Sequence, residues 1–561
     1  MKHGFFKIKQ DLSVMEFVQP TFRSAFSNSI REKTFWLLAL LLTLALFPRL
    51  GILTMRGEET RRALVAFEMQ YFDDYITPRE QGELFQSNPP LSSWLMLGST
   101  IVFGNNDPFA VRFPSAVAVL LTSLLIYAYA RNFFSCVGAF ASALAFATNG
   151  EIMIMSQKAE PEAVYIFFLS ASLMLWHWGY EGKWPAVATW ISAGVMVGFA
   201  SLCKGGLQPL AYFCASVFFY LLYSRNMRYL FTLAMLVGLS CTIAVVAAWM
   251  LPYISLHGIA EAKALWLNDT ASRFHSWNMM HFFKHLGSYP FEILGSILPW
   301  SLLLFAYLLP SFRSRLEPYK PALMFALIAC GFAFLTVWIP PGGQTRYFAT
   351  LYPLLALFMG AVAEVGIVSI EAKGKAAWLR FAFLVAATFI LIALAIALLP
   401  FKIPRFTFER WTLPLPQTIF YSVSLFLLGI WMMKNLQKVQ GNLYAMGLAL
   451  VIFNLGYFMD VKVQRSEKTL EEMARIKSQL PLDVNLVSIG ITNHKFTYYY
   501  GKFVKALPVD CDGEGITYFC FDPCLIDVGK ITFPWKQVDT FSITRDFMDQ
   551  KRFVVLAKKG S

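Results

Sequence analysis

Long apolar runs constrain this chain more than any other feature. Runs of roughly 17–25 apolar residues recur along it, the length that a helix needs to cross a hydrocarbon core. They fall near residues 35–54, 110–130, 136–154, 161–179, 186–203, 207–224, 230–252, 290–309, 321–339, 347–367, 378–399, 418–434 and 443–460. Only 15% of the 561 residues are charged, whereas soluble proteins have roughly 25%. We therefore predict an α-helical polytopic membrane protein with about thirteen transmembrane helices.

The positions of lysine and arginine predict how the chain is oriented. Residues 1–33 are polar and basic, so we expect a cytoplasmic segment without a cleavable signal peptide. Leu91–Phe103 is too short to span and fits a helix at the interface. If it does not cross, the basic loops between spans all lie on the cytoplasmic side. This distribution explains the net charge of +13, so we do not predict nucleic-acid binding.

The same orientation places the C-terminal segment outside the cytoplasm. We expect a transmembrane domain over residues 34–460 and a small α/β domain over residues 461–561. In that segment the pattern predicts a helix at Ser466–Gln479 and strands at Asn485–Gly490, Thr497–Tyr500 and Phe553–Leu556. Its three cysteines allow one disulfide, from Cys511 to either Cys520 or Cys524. The other five cysteines fit small core residues.

A charged outer loop, residues 55–109, interrupts the apolar pattern. Glu58 and Glu59 form a tandem carboxylate directly after the first span, and Arg61 follows. Charge beside lipid is costly unless it serves a function. The alternative is helix capping, because the helix dipole favours acidic residues at an N-terminus. A helix over residues 59–70 would be amphipathic and would lie on the membrane.

Further charges fall at the same predicted face. Glu160 precedes the fourth span, and Lys204, Arg273 and Arg346 stand at the mouths of others. Each of these residues also has an ordinary structural explanation, either as a helix cap or as a long side chain that extends to the membrane interface. Together the three cations facing two carboxylate sites indicate an anion pocket.

Four histidines lie in or beside one outer loop: His257, His275, His281 and His285. No pair has a strong metal signature with a placed carboxylate, so we interpret them as loop residues. We predict no metal site and no certain cofactor, and a divalent metal stays open as an alternative.

Several stretches, in this order, resemble bacterial GT-C membrane glycosyltransferases. They are similar to the lipid A 4-amino-4-deoxy-L-arabinose transferases and to the wider group related to protein O-mannosyltransferases. The similarity covers roughly residues 34–365. The stretches are GEETRRA (57–63), FEM (67–69), ITPREQG (76–82), PPLSSW (89–94), FAVRFPSA (109–116), Glu160-Pro161, Lys204-Gly205, YPFEILGSILPW (289–300) and QTRYFATLYPLLAL (344–357).

The resemblance implies roles for individual residues. Glu58 falls on the family's presumed catalytic carboxylate, which is usually aspartate, and Arg61 and Glu160 match two further catalytic-site positions. Asn88 stands where the family has a lysine, so that charge is absent here. The residues predicted to bind substrate are Glu59, Asn88, Lys204, Arg273, Arg346 and Tyr347.

The implied activity is sugar transfer from a polyprenyl-phosphate donor to a hydroxyl or phosphate of an envelope acceptor. Glu58 would act as the base of a one-step inverting displacement, and Glu160 would orient Arg61 or the acceptor. The expected location is the outer face of a bacterial inner membrane. Three alternatives stay open: transfer to a protein hydroxyl, transport of a lipid-linked sugar, and a scaffold with a degenerate site.

Overall fold

The structure is a computed structural model of the full chain. It describes residues 29–55, 57–204, 207–272, 279–340, 343–368, 372–400, 411–463, 467–481, 484–543 and 552–560. Two of the predicted site features, Arg273 and the glycines after Lys204, lie outside the described residues.

Within the described residues, nine helices are long and apolar enough to cross a membrane, and two bent helix pairs would raise that number to eleven. The nine are Pro108–Ala130, Glu162–Glu181, Ala186–Cys203, Leu233–Leu265, Glu317–Trp338, Thr345–Ile367, Ala376–Leu398, Leu415–Lys434 and Val439–Val463. The bent pairs are Cys136–Ala147 with Gly150–Ser156 (66°) and Phe282–Ser296 with Trp300–Leu308 (113°).

Two shorter apolar helices, Lys33–Leu46 and Gln208–Tyr223, occupy the remaining two predicted spans. The predicted polytopic helical fold is thereby confirmed, while the number of thirteen crossings stays a prediction. Leu91–Phe103 forms the expected short helix and ends at Gly104, which has a left-handed conformation.

Small residues let the helices in the bundle approach closely. A Cβ added at Gly194 would lie 2.2 Å from the carbonyl oxygen of Gly238 on the neighbouring helix. That helix runs over Leu233–Ser272, with a non-helical break at Gly258. Its Trp249 donates a hydrogen bond to the carbonyl of Ile76 over 3.0 Å, which ties the outer loop to the bundle. Close backbone approach at small residues is typical of helix packing in membranes.

The outer loop folds into a helix over Glu58–Tyr71, which we call the outer helix, and a short hairpin of β1 (Arg79–Glu80) and β2 (Glu83–Leu84). The helix was expected, but its environment differs from the prediction of a helix lying on the membrane. Residues on opposite sides of the helix are buried, including Leu64, Ala66 and Met69. The helix contacts Leu91–Phe103 and a helix of the C-terminal domain, so protein rather than lipid covers much of it.

The chain after the last span forms the expected small α/β domain. Its strands are β3 (Val487–Ile489), β4 (Lys505–Leu507), β5 (Tyr518–Phe521), β6 (Trp535–Ile543) and β7 (Arg552–Lys559). They form one mixed sheet in the order β4-β3-β5-β7-β6, with β3 parallel to β4 and β5, and β7 antiparallel to β5 and β6. Two helices, Glu467–Gln479 and His494–Tyr500, accompany the sheet.

The predicted strand at Thr497–Tyr500 is wrong, because these residues belong to the helix His494–Tyr500. The side chain of Asn493 accepts a hydrogen bond from Lys495 N over 3.0 Å, which caps the helix start. Gly501, at φ +76°, ends the helix. Phe496 and Tyr500 stack in the domain core, one helical turn apart.

The predicted disulfide does not form in the structure. Cys511, Cys520 and Cys524 are all free thiols, and Cys520 is fully buried. Burial raises the pKa of the Cys520 thiol to about 12, so it is held in the protonated form.

Candidate active site

The centre of the site is Glu58, the first residue of the outer helix. Gly57 precedes it with φ +55°, a left-handed conformation that glycine adopts without strain. The Glu58 side chain is 49% exposed, whereas the adjacent Glu59 is buried. Its Oε2 lies 3.6 Å from Arg61 Nη1 and 3.8 Å from Arg62 Nη2. The helix therefore presents one accessible carboxylate between two guanidinium groups.

Glu58 borders a small polar cavity of about 180 Å³ at the meeting point of several spans. The outer helix, the loop before Pro89, the start of Glu162–Glu181, the end of Ala186–Cys203 and the start of Thr345–Phe348 contribute to it. We call it the basic cavity. Its lining residues are Glu58, Arg62, Ser87, Asn88, Glu160, Pro161, Glu162, Lys204, Arg346 and Tyr347.

The structure brings Lys204 and Arg346 together as predicted, and each of them lies close to a carboxylate. Lys204 Nζ lies 2.5 Å from Glu162 Oε1, and Arg346 Nη1 lies 4.0 Å from Glu160 Oε2. The ring of Tyr347 is within 5.4 Å of Lys204 Nζ. The cations of the predicted anion pocket thus lie beside carboxylates, in a network in which positive and negative groups alternate, and anion binding there stays a prediction.

Asn88 lies in the basic cavity, beside a cation that the sequence interpretation did not assign to the site. With its amide oxygen turned to Arg62, Asn88 accepts hydrogen bonds from Nη1 over 2.6 Å and from Nη2 over 2.8 Å. Arg62 therefore supplies positive charge next to the position where the charge of a lysine is missing. An arginine guanidinium is well suited to phosphate, because its planar fork can donate two parallel hydrogen bonds.

Two guanidinium N–H groups at this cavity have no hydrogen-bond partner among the described residues. They are Nε of Arg62 and Nε of Arg346, and both are buried. A buried donor without an acceptor costs about 1–3 kcal/mol. The two arginines therefore each keep a buried donor that the described part of the protein does not satisfy.

A second cavity, of about 390 Å³, also borders Glu58. We call it the wide cavity, and it shares Glu58 and Glu160 with the basic cavity. Its remaining wall comes from the segment before the outer helix, the outer helix itself, the span Pro108–Ala130, the helix Gly150–Ser156 with the two residues after it, and the last span. Those residues are Leu53, Thr54, Gly57, Glu59, Arg112, Met153, Ile154, Gln157, Lys158, Asn454, Leu455, Phe458, Met459 and Lys462.

Glu160 stands between the two cavities but does not contact Arg61 in the way we expected. Its closest cation is Lys158, whose Nζ lies 3.3 Å from Glu160 Oε1. Burial, together with the nearby Glu162 carboxylate, raises the pKa of Glu160. The predicted orientation of Arg61 by Glu160 is wrong, because Arg61 Nε instead donates to Glu80 Oε2 over 2.8 Å.

Glu59 is engaged by the protein rather than open to a substrate. Its Oε2 accepts a hydrogen bond from Arg112 Nε over 2.8 Å and one from Ala159 N over 3.2 Å. Arg112 also donates to the carbonyls of Leu50 and Leu53, over 3.0 and 2.8 Å. This buried pair anchors the chain just before the outer helix and gives Glu59 a structural role, while its contact with a substrate stays a prediction.

The histidines show no common site in the part of the chain that the structure describes. His257 Nε2 lies 2.9 Å from the Thr77 hydroxyl, while His285 packs on Tyr289 with ring centroids 4.9 Å apart. His275 and the side chain of His281 lie outside the described residues. No group of three or more His, Cys, Asp or Glu side chains among the described residues is arranged to hold a metal ion.

Four charged residues of the site were missed from the sequence: Arg62, Arg112, Lys158 and Glu162. Arg62 could have been found, because it follows Glu58 by four residues and so shares its helix face. Glu162 follows Glu160 by two residues but had been assigned to the span. The partner of Arg112 is 53 residues away in the sequence, and no local pattern indicates such a pair.

A family sequence model, described as dolichyl-phosphate-mannose-protein mannosyltransferase, matches residues 87–251. Among curated proteins, the chain is 26% identical over 333 residues to undecaprenyl phosphate-alpha-4-amino-4-deoxy-L-arabinose arabinosyl transferase 2 of Proteus mirabilis, covering 58% of each chain. It is 25% identical over 376 residues to the corresponding transferase of Serratia proteamaculans, covering 65% of each chain. The chain thus matches between 58% and 65% of the length of these relatives.

Among solved structures, the chain is similar to ArnT from Cupriavidus metallidurans bound to undecaprenyl phosphate. The TM-score is 0.69 at 17% sequence identity, and the match covers 94% of this chain and 98% of that chain. The apo form of the same protein gives a TM-score of 0.68. At this identity the likeness shows a shared fold. The resemblance to GT-C membrane glycosyltransferases that the sequence predicted is confirmed.

Proposed function

Because the chain shares the fold of a GT-C membrane glycosyltransferase and resembles that class in sequence, we propose that it transfers a sugar from a polyprenyl-phosphate donor. The observation that carries the proposal is that two cavities of different character share Glu58 and Glu160. A transferase must bring a donor and an acceptor to one reacting centre. Two cavities that share an accessible carboxylate satisfy this requirement.

The basic cavity suits the phosphate of the donor. Arg62, Lys204 and Arg346 converge on it, and two of them keep an unsatisfied buried N–H. Breaking the bond between the anomeric carbon and the phosphate oxygen leaves that oxygen with the electron pair. The charge on the phosphate therefore grows during the reaction, and fixed cations in a buried site stabilise such charge strongly. The related ArnT structure has undecaprenyl phosphate bound, which supports a polyprenyl-phosphate donor here.

The wide cavity suits the acceptor. It is about twice the volume of the basic cavity and also borders Glu58. An acceptor hydroxyl placed there would attack the anomeric carbon while the Glu58 carboxylate takes its proton. Attack opposite to the leaving phosphate inverts the anomeric configuration.

The proposed location is the bacterial inner membrane with the site on the periplasmic face. The excess of lysine and arginine in the loops of the opposite face supports this orientation. The sequence relatives are named as transferases that use undecaprenyl phosphate-linked 4-amino-4-deoxy-L-arabinose, which supports a polyprenyl-phosphate sugar as donor. The first candidate acceptor is an envelope molecule such as a lipid A-like lipid or a surface glycan, as the sequence resemblance implies. The family description names protein mannosyltransferases, so a protein hydroxyl is the second candidate acceptor.

Transfer by purified protein in lipid vesicles tests the proposal. Undecaprenyl-phosphate sugars labelled in the sugar would be supplied together with a total envelope extract, and lipid, glycan and protein fractions would be counted separately. Label that moves into the lipid or glycan fraction supports the envelope acceptor, and label in protein selects the second candidate. Donor that binds but never loses its sugar in any fraction contradicts the transferase and favours transport of a lipid-linked sugar.

A further inference from the structure

The C-terminal domain docks directly on the outer segment that carries Glu58. Gln81, in the turn between β1 and β2, is paired with Thr492 through two hydrogen bonds. Gln81 Nε2 donates to the Thr492 carbonyl over 2.8 Å, and Gln81 Oε1 accepts from Thr492 N over 3.2 Å. The Tyr499 hydroxyl accepts from Met55 N over 2.5 Å, three residues before Glu58. The domain therefore forms hydrogen bonds both with the hairpin and with the segment that leads into the outer helix.

A row of charged groups runs from this domain to Glu58. His494 Nδ1, at the start of the domain's short helix, faces Glu80 Oε1 on β1. The other oxygen of Glu80 accepts from Arg61 Nε over 2.8 Å. Arg61 Nη1 then lies 3.6 Å from Glu58 Oε2. The two oxygens of Glu80 thus face different partners: His494 of the C-terminal domain through an ion-pair contact, and Arg61 of the outer helix through a hydrogen bond.

We propose that His494 is a positioning residue of the C-terminal domain for the transfer reaction: it fixes Glu80, and Glu80 holds Arg61 beside Glu58 without a close ion pair. This inference rests on the proposed function, because it assigns His494 a role in a reaction that takes place at Glu58. Glu80 is 8% exposed, so its orientation is set by these partners rather than by solvent. For Nδ1 to donate to the carboxylate, it must carry a proton, in the neutral or the charged ring.

The geometry shows why the position of Arg61 matters. Its guanidinium has two carboxylates within reach, at 2.8 Å for Glu80 and 3.6 Å for Glu58. If Glu80 lost its charge, the guanidinium would pair more closely with Glu58. A closer cation stabilises the ionised form of a carboxylate and so makes it a weaker base. The close pair would also occupy the oxygen that has to take the proton of the acceptor.

The protonation of Glu80 links this arrangement to pH. Burial opposes its ionisation, but the hydrogen bonds and charges of His494 and Arg61 outweigh it and lower the pKa of Glu80. The other charged groups near Glu80 are Glu68 on the outer helix and Arg79 on its own strand. Without the His494 contribution, the pKa of Glu80 would be higher than in the wild type. Glu80 would then become neutral, and release Arg61 to Glu58, at a higher pH than in the wild type.

The test compares two variants of the full-length protein in the transfer assay. His494→Ala removes the donor, whereas His494→Asn keeps an amide N–H close to the position of Nδ1. We expect His494→Ala to lower kcat about tenfold, or about 1.4 kcal/mol of transition-state stabilisation, with the donor KM unchanged. Its acidic limb in the pH dependence of kcat should move toward neutral pH. His494→Asn should restore kcat and should return the acidic limb of its pH dependence to the wild-type position.

Tyr498→Phe is the matched control for docking. It removes a hydrogen bond of 2.6 Å from the domain to the Asn106 carbonyl and leaves the row of charges intact. It should lower the temperature at which the C-terminal domain separates from the outer segment. It should not move the acidic limb of the pH dependence of kcat. If His494→Ala does not fold, Glu80→Gln carries the same test, since it keeps the shape of Glu80 and should lower kcat.

The outcomes separate this inference from the proposed function. A His494→Ala variant with wild-type kcat and pH dependence, beside a wild type that transfers sugar, overturns the role of His494 alone. Equal shifts of the acidic limb in His494→Ala and Tyr498→Phe also overturn it, because docking alone would then explain them. No transfer by the wild type overturns the proposed function and this inference together.

Discussion

Lys204 Nζ lies 2.5 Å from Glu162 Oε1, and the two side chains are only 13% and 8% exposed. Such a pair resists the loss of either partner, because the remaining charge would be buried without compensation. The same pair borders the basic cavity, so Lys204 serves both the stability of the bundle and the binding proposed for the donor phosphate.

These two roles can be separated by substitution. Lys204→Met alone should destabilise the folded protein by about 3–5 kcal/mol, because Glu162 stays charged and unpaired. Adding Glu162→Gln removes both charges and should restore the thermal unfolding temperature to near that of the wild type. Donor affinity should stay reduced in both variants, as measured by binding of a polyprenyl phosphate. A double variant that regains full donor affinity would contradict a phosphate contact at Lys204.

Arg346 offers a sharper test of donor binding, because its Nε is buried without a partner among the described residues. Its ion pair to Glu160 is long, at 4.0 Å, and without Arg346 Glu160 still has Lys158 at 3.3 Å while Glu162 still has Lys204 at 2.5 Å, so its removal leaves neither carboxylate without a cation. Arg346→Ala should weaken binding of polyprenyl phosphate at least tenfold. The control is Arg475→Ala, which breaks an exposed bidentate pair with Asp539 in the C-terminal domain. Equal donor affinities of the two variants would argue against a phosphate at Arg346.

The buried pair of Glu59 and Arg112 should matter for stability more than for chemistry. The two side chains are 5% and 1% exposed, and Arg112 also holds the chain before the outer helix through two carbonyls. Arg112→Ala should therefore destabilise the protein by about 3–5 kcal/mol. Arg131→Ala, which breaks a pair with Glu32 whose side chains are 27% and 25% exposed, should cost less. The unfolding temperatures of the two variants measure the difference, and equal losses would contradict it.

Glu68 should make stability fall as the pH rises toward neutral. Its carboxyl accepts backbone hydrogen bonds from Gln81 N over 2.6 Å and Gly82 N over 2.9 Å, but burial raises its pKa from 4.5 to about 7. The folded state therefore binds this proton more tightly than the unfolded state. The resulting stability is complete below pH 4.5 and is lost as the pH rises to about 7, by roughly 3 kcal/mol.

Glu68→Gln isolates this effect, because glutamine does not titrate. The unfolding temperature of the wild type should fall relative to that of the variant as the pH rises from 4.5 to 7. A difference between the two proteins that does not change with pH, or that favours the wild type as the pH rises, would contradict the assignment.

The sequence predicted most of the membrane architecture because that information is local. A run of apolar residues of spanning length identifies a helix without knowledge of its neighbours, and the expected helices are found at the expected places. The C-terminal strands at Val487–Ile489 and Arg552–Lys559 were found in the same way. The helix at His494–Tyr500 was missed because its aromatic residues favour a strand, whereas the Asn493 cap and Gly501 set the helix bounds.

The site was predicted only in part because its contacts are distant in sequence. Glu58, Glu160, Lys204 and Arg346 do line one cavity, as the loop positions indicated. Nothing local, however, shows that Glu162 neutralises Lys204 across 42 residues, or that Glu80 rather than Glu160 holds Arg61. Pairing of charges is decided by tertiary packing, which a linear pattern of spans and loops does not contain.

Sugar transfer by Glu58→Gln, compared with the wild type and with Glu58→Asp, tests the central claim most directly. Glutamine keeps the size of the side chain but cannot take a proton, so transfer should fall by roughly 10²–10⁴-fold while polyprenyl phosphate still binds. Glu58→Asp keeps the carboxylate and should retain more activity than Glu58→Gln. Transfer near the wild-type rate by a correctly folded Glu58→Gln variant would show that Glu58 is not the base and that the two cavities do not meet at the reacting centre.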